Sequence, residues 1–172
     1  MKPSSRISEK DLNKMVEEFK EELDISVFEN NIHQIRKKKN IGIHQLKLMY
    51  KTGEELYNSY QLKEAETLFQ AYTVLNPYDH RGPGCLASIY LEQGRYKQAL
   101  DTLKILRSFP TCHLDEVFIN ISLCHYKLEQ HDDAVSVLMV VKKDTLNTFY
   151  QTRYDYLKSQ LNPYLSGACF LA

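Results

Sequence analysis

The side chains of this sequence with the chemistry to ligate a metal or attack a carbonyl are few: six His, four Cys and some paired carboxylates. Cys112-His113 and Cys124-His125 invite a zinc reading. Both are adjacent pairs, however, and neighbouring side chains on a helix diverge by about 100°. Neither pair has the spacing of a zinc site, so no metal is expected. A Cys–His hydrolase is a third and weaker reading; it would lose activity on Cys→Ser changes at Cys85, Cys112 or Cys124. Gly82-Pro83-Gly84 lacks the Lys-Ser/Thr that completes a phosphate loop. Glu21-Glu22 and Asp132-Asp133 fall in polar helix or turn positions with no evident cleft. No catalytic residue, cofactor or enzymatic activity is therefore expected.

With catalysis set aside, composition bounds what remains. The 172 residues carry 22 basic and 22 acidic side chains, which leaves no electrostatic footprint for nucleic acid. The run Arg36-Lys37-Lys38-Lys39 follows eight acidic residues between Glu9 and Glu29 and reads as a solvated helix end. No stretch approaches the roughly 20 apolar residues that cross a bilayer; the longest candidate is Val135 to Val141. The first residues lead into a charged amphipathic stretch and not an apolar signal core, so a cytosolic protein without stable membrane insertion is expected. The four Cys (85, 112, 124, 169) form no CxxC and are expected as free thiols.

Only six Gly and five Pro are present, and helix formers dominate. Ala65/Phe69, Ala99/Leu103 and Ala134/Leu138 each place a large apolar residue four positions after an Ala, and the Ala residues are 34 and 35 apart. Twelve residues before each stands another small residue: Gly53, Ala87 and Ser122. Thirty-four is the period of the tetratricopeptide repeat, a helix–turn–helix unit in which small residues let helix A approach helix B. Asn58 to Gln61, Glu92 to Arg95 and Glu129 to Asp132 are the expected turns, with Gly94 where a helix C-cap favours a left-handed residue. Pro77 and Pro110 end the first two B helices. The fold expected is an all-α solenoid with repeats at 46–79, 80–113 and 115–148.

An amphipathic helix from about Thr148 to Leu161 would cover the last repeat, and 162–172 has no period; residues 149–172 thus form a capping helix and tail. Residues 1–45 form an N-terminal helical extension. Ser8 to Asp11 reads as a capping box, and Leu12, Met15, Phe19 and Leu23 lie on one helix face. That face either folds back on the solenoid or pairs with another subunit.

The stretch from about Leu46 to Val141 resembles the class II chaperones of bacterial type III secretion systems. The likeness runs through Tyr50 and Tyr57, Leu62 to Phe69, Leu75 to Asp79, and Tyr90 to Ala99. It departs at Gly82-Pro83-Gly84, where that family carries bulky residues and where a gap in the groove wall is expected. The resemblance implies a cytosolic chaperone that is not an enzyme. Such a chaperone binds hydrophobic translocator proteins and keeps them soluble and export-competent. It implies that an extended client segment lies in a concave groove, and that the protein dimerises through its N-terminal region, here Leu12, Met15, Phe19 and Leu23.

Helix A of each repeat would line that groove. On the expected inner face lie Lys47, Tyr50, Glu54 and Tyr57, then Arg81, Gly84, Ser88 and Leu91, then Glu116, Ile119, Leu123 and Tyr126. Of these, Tyr50, Glu54, Tyr57, Ser88, Leu91, Ile119, Leu123 and Tyr126 are the expected client contacts, because Tyr and aliphatic side chains suit an extended peptide. Glu54 would repel a peptide C-terminal carboxylate, which disfavours that mode of binding. The alternative is a repeat adaptor that joins folded partners in a secretion system or another assembly.

Overall fold

The computed structural model describes residues 25–168, and every regular element among them is helical. The chain divides after Gly42 into two compact units. In the first, α1 (Ile25–Lys38) ends on Arg36, Lys37 and Lys38, which face the negative end of the helix dipole. The chain leaves α1 through Asn40 at φ 53°, with the Ile41 N–H donating to Arg36 O at 2.7 Å. The expected capping box and the apolar face at Leu12, Met15, Phe19 and Leu23 lie outside the described residues.

The second unit contains α2 (Ile43–Asn58), α3 (Leu62–Leu75), α4 (Arg81–Glu92), α5 (Tyr96–Leu106), α6 (Leu114–Lys127), α7 (His131–Met139) and α8 (Thr148–Ala168). A 3₁₀ turn at Lys143–Thr145 precedes α8. Each helix packs on the next, and α8 packs on α6 as well. The result is three helical hairpins in series, the all-α repeat architecture that the 34-residue period predicts.

The small residues do what their spacing requires. Ala65, Ala99 and Ala134 are wholly buried, as are Ala87 and Ser122 or nearly so. Ser122 also donates its hydroxyl to Ala134 O at 2.8 Å, so the third hairpin is pinned by a hydrogen bond as well as by close approach. Gly53 meets a ring: a Cβ there would stand 2.7 Å from Cζ of the buried Phe69.

All three hairpin turns share one conformation. Tyr60, Gly94 and Glu129, at equivalent repeat positions, have φ of 60°, 70° and 62°. The next N–H donates back across the turn in each: Gln61 to Leu56 O, Arg95 to Tyr90 O and Gln130 to His125 O, at 2.9, 2.8 and 2.9 Å. This 6→1 bond satisfies a carbonyl that the helix end would leave orphaned. Only the middle turn carries the glycine that the conformation favours.

The corner between α3 and α4 is held by a polar cluster. Asp79 accepts from Arg81 Nε at 2.9 Å and Nη2 at 2.6 Å, and from the Tyr72 hydroxyl at 2.6 Å. Asn76 donates to both Tyr72 and Asp79. Pro83 sits in the first turn of α4, where its missing N–H has no helical partner to lose.

The apolar interior has two parts. One runs through the first two hairpins into α6, with Phe69, Ile89, Leu103 and Cys124 at its centre. The other joins α6 and α7 to α8 through Ile119, Val135, Leu138, Leu157 and Leu161. Leu157 and Leu161 are fully buried, each contributing roughly 1.5–3 kcal/mol. α8 runs seven residues beyond the end expected at Leu161, through Pro163 to Ala168. Tyr164 stacks on His131 with ring centroids 4.2 Å apart, which anchors the turn that follows the proline.

Candidate functional site

The inner surfaces of the hairpins enclose a cavity of about 410 Å³ within the second unit. Because α2, α4 and α6 are the A helices of successive hairpins, residues one turn apart on each point inward together. α2 supplies Tyr50, Glu54, Tyr57 and Asn58; α4 supplies Arg81, Gly84, Cys85 and Ser88; α6 supplies Glu116, Val117 and Asn120. Phe69, Leu103 and Leu106 from the B helices form apolar wall. His80, Cys112 and His113 enter from the loops between hairpins, and Tyr150 enters from α8.

Tyr50 is the best-fixed of these. Its ring lies 5.8 Å from Phe69 and 5.6 Å from Tyr72, with the Arg81 guanidinium 4.6 Å above it. The Cys85 thiol is 3.9 Å from its hydroxyl. Burial pushes the Tyr50 phenol well above its ordinary range, and Tyr57 and Tyr150 move the same way for the same reason. The Arg81 guanidinium beside Asp79 holds that carboxyl far below the usual carboxylate range. On the far side, Arg153 donates to the side-chain oxygen of Asn120 and lies over the Phe149 ring at 4.7 Å. Asn147 donates to Glu116 at 3.1 Å.

These groups favour holding a ligand over transforming one. Burial pushes the Cys85 thiol up to about 11 and the Cys124 thiol up to about 12, so neither is ready as a thiolate. Cys124 is fully buried, and His125 is tied to Gln130 at 2.8 Å. Among the described residues no group of three or more His, Cys, Asp or Glu side chains is placed to hold a metal ion. The two arginines near the cavity are engaged, Arg81 by Asp79 and Arg153 by Asn120. The surface left open mixes phenol rings, aliphatic side chains and amide and hydroxyl groups, which suits an extended peptide.

Four of the eight expected contacts line the cavity: Tyr50, Glu54, Tyr57 and Ser88. The other four do not. Ile119 is fully buried in the interior shared with α8, which corrects its assignment as an accessible contact. Leu123 and Tyr126 pack against that same interior, and the Tyr126 hydroxyl donates to Gln160 at 3.1 Å. Leu91 packs on the first interior and lies outside the lining. For Ile119, Leu123 and Tyr126 the physical reason is α8, which packs along the face of α6 that carries them, so that Glu116, Val117 and Asn120 are the α6 residues facing the cavity.

Cys85, Cys112, Asn120 and Tyr150 are lining residues that the inner-face pattern does not reach. Asn120 offered a signal, being an amide within an otherwise apolar stretch of α6. Cys112 and Tyr150 gave none, since a loop and a helix outside the repeat period place them.

No protein-family model matches the sequence, and no curated protein is significantly similar to it. Solved structures do share the fold. The type III secretion chaperone SycD of Yersinia enterocolitica, crystallised with a peptide of the translocator YopD, superposes with a TM-score of 0.64 at 20% identity. That match covers 72% of this chain and 97% of SycD. PcrH of Pseudomonas aeruginosa, in complex with the chaperone-binding region of PopD, gives 0.62 at 19% identity over 74% and 96% of the two chains. A chain of a type III secretion complex from Aeromonas hydrophila gives 0.65 at 16% identity over 84% and 97%.

Proposed function

We propose that this chain is a type III secretion chaperone of the bacterial cytoplasm, not an enzyme, and that it holds a hydrophobic translocator by an extended segment seated in the cavity of the second unit. The observation that carries the reading is the pairing of two features. The fold is that of chaperones crystallised with translocator peptides, and the inner surface keeps an open, aromatic cavity of about 410 Å³. Tyr57, Ser88 and Asn120 can meet peptide backbone and side chains there, while the partly exposed rings of Tyr50 and Tyr57 receive apolar groups against the apolar wall behind them. Undissociated thiols and committed arginines support a binding role over a catalytic one. A homodimer formed through Leu12, Met15, Phe19 and Leu23 belongs to the same reading.

Co-expression with a hydrophobic type III translocator, sought first among the neighbouring genes, tests it. The translocator should move to the soluble fraction and co-purify, and Tyr57→Glu should abolish that complex while the helical circular dichroism is kept. A translocator that stays insoluble beside soluble chaperone refutes the reading. Binding only to folded partners, with no protection against aggregation, would favour an adaptor instead.

A further inference from the structure

Glycine is the poorest helix former apart from proline, so one inside a helix needs a reason. Gly53 has one, since a Cβ would press into the Phe69 ring at 2.7 Å. Gly82 has one, since its Cβ would stand 2.5 Å from the Thr73 hydroxyl. Gly94, in the turn after α4, is accounted for by its φ of 70°. Gly84 has none of these: it lies within α4, it is not among the positive-φ residues, and a Cβ there would meet nothing closer than Leu106 Cδ2 at 4.0 Å. It does line the cavity. Neither backbone nor packing explains the missing side chain, whereas room for an occupant does.

We infer that Gly84 is a specificity residue, whose bare backbone opens a recess between α4 and α6 for one bulky aromatic side chain of the client. The inference rests on the client reading above and names what that client must present. Leu106 and Val117 supply aliphatic wall, and the Cys85 and Cys112 sulfurs suit the edge of a ring. A cavity of about 150 Å³ already admits a benzene ring, so the volume here holds a ring together with the chain that carries it.

The chain contains no Trp, so an indole in a bound peptide would be the one indole emitter in the sample. The experiment uses full-length protein and a synthetic array of randomised 12-residue peptides. Captured sequences are then resynthesised with Trp, Phe, Leu or Ala at the enriched position. Wild type should enrich an aromatic residue at one position and blue-shift the emission of the Trp version. Gly84→Leu should bind the aromatic peptides at least about tenfold more weakly and leave the Ala versions nearly unchanged. Gly84→Ala should raise the melting temperature by roughly 2–4 °C, because it restores helix propensity in open space. Equal affinities for Gly84→Leu and wild type would overturn the inference, as would a lowered melting temperature for Gly84→Ala. If wild type captures no peptide at all, the client reading itself fails and this inference falls with it.

Discussion

Gly53→Ala sets two effects of opposite sign against each other. Alanine is the better helix former by about 1 kcal/mol, so in an open helix the change would stabilise. Here the new Cβ would stand 2.7, 2.9 and 3.0 Å from Cζ, Cε1 and Cε2 of Phe69. Carbon atoms at rest are about 3.5–4.0 Å apart, so the whole ring must retreat by nearly 1 Å. Phe69 is fully buried, with the Tyr50 ring 5.8 Å from it, and has little space to move into. Overpacking of this kind costs about 1–3 kcal/mol. A ring with so little room puts the cost in the upper part of that range, about 2–3 kcal/mol, so after the gain of about 1 kcal/mol the expected net loss is about 1–2 kcal/mol, a fall of roughly 2–8 °C in Tm for a chain of this size. Urea and thermal denaturation followed at 222 nm measure it. A double-mutant cycle isolates the cause: in a Phe69→Leu background, whose shorter side chain leaves the site open, Gly53→Ala should become neutral or stabilising. The same loss in both backgrounds would refute the argument, because the penalty would then have nothing to do with the ring.

Further outcomes follow from the turns, the corner cluster and the last helix. Tyr60→Gly and Glu129→Gly should each stabilise by about 1 kcal/mol in urea melts, while Gly94→Ala should destabilise by a similar amount, since all three positions hold positive φ. Asp79 has its folded pKa depressed by Arg81, so its contribution is complete above the unfolded value near 4 and is lost as pH falls below it. Denaturation at pH 2–7 should therefore show a shallower acid decline for Asp79→Asn than for wild type. Tyr164→Ala should lower stability by about 1 kcal/mol and speed amide exchange selectively in the turn after Pro163, because the stacking on His131 is lost.

What could be read from the residues alone was whatever repeats or acts locally. The 34-residue period, the small residues at Gly53, Ala87 and Ser122, and the proline stops belong to single helices or to neighbouring pairs, and the observed hairpins follow them. The inward run of Tyr50, Glu54 and Tyr57 on α2 was legible for the same reason, because one helix face needs only its own periodicity. Tertiary structure decided where the cavity stops. Ile119, Leu123 and Tyr126 carry the same inner-face spacing as their counterparts in the first two repeats, yet α8 takes them into an interior of its own. It also brings Tyr150 to the opening they vacate. That helix obeys no repeat, so nothing in the period says which surface it covers. Its placement follows from the apolar area that Leu157 and Leu161 remove from water, a property of two surfaces meeting and not of either strand of residues by itself.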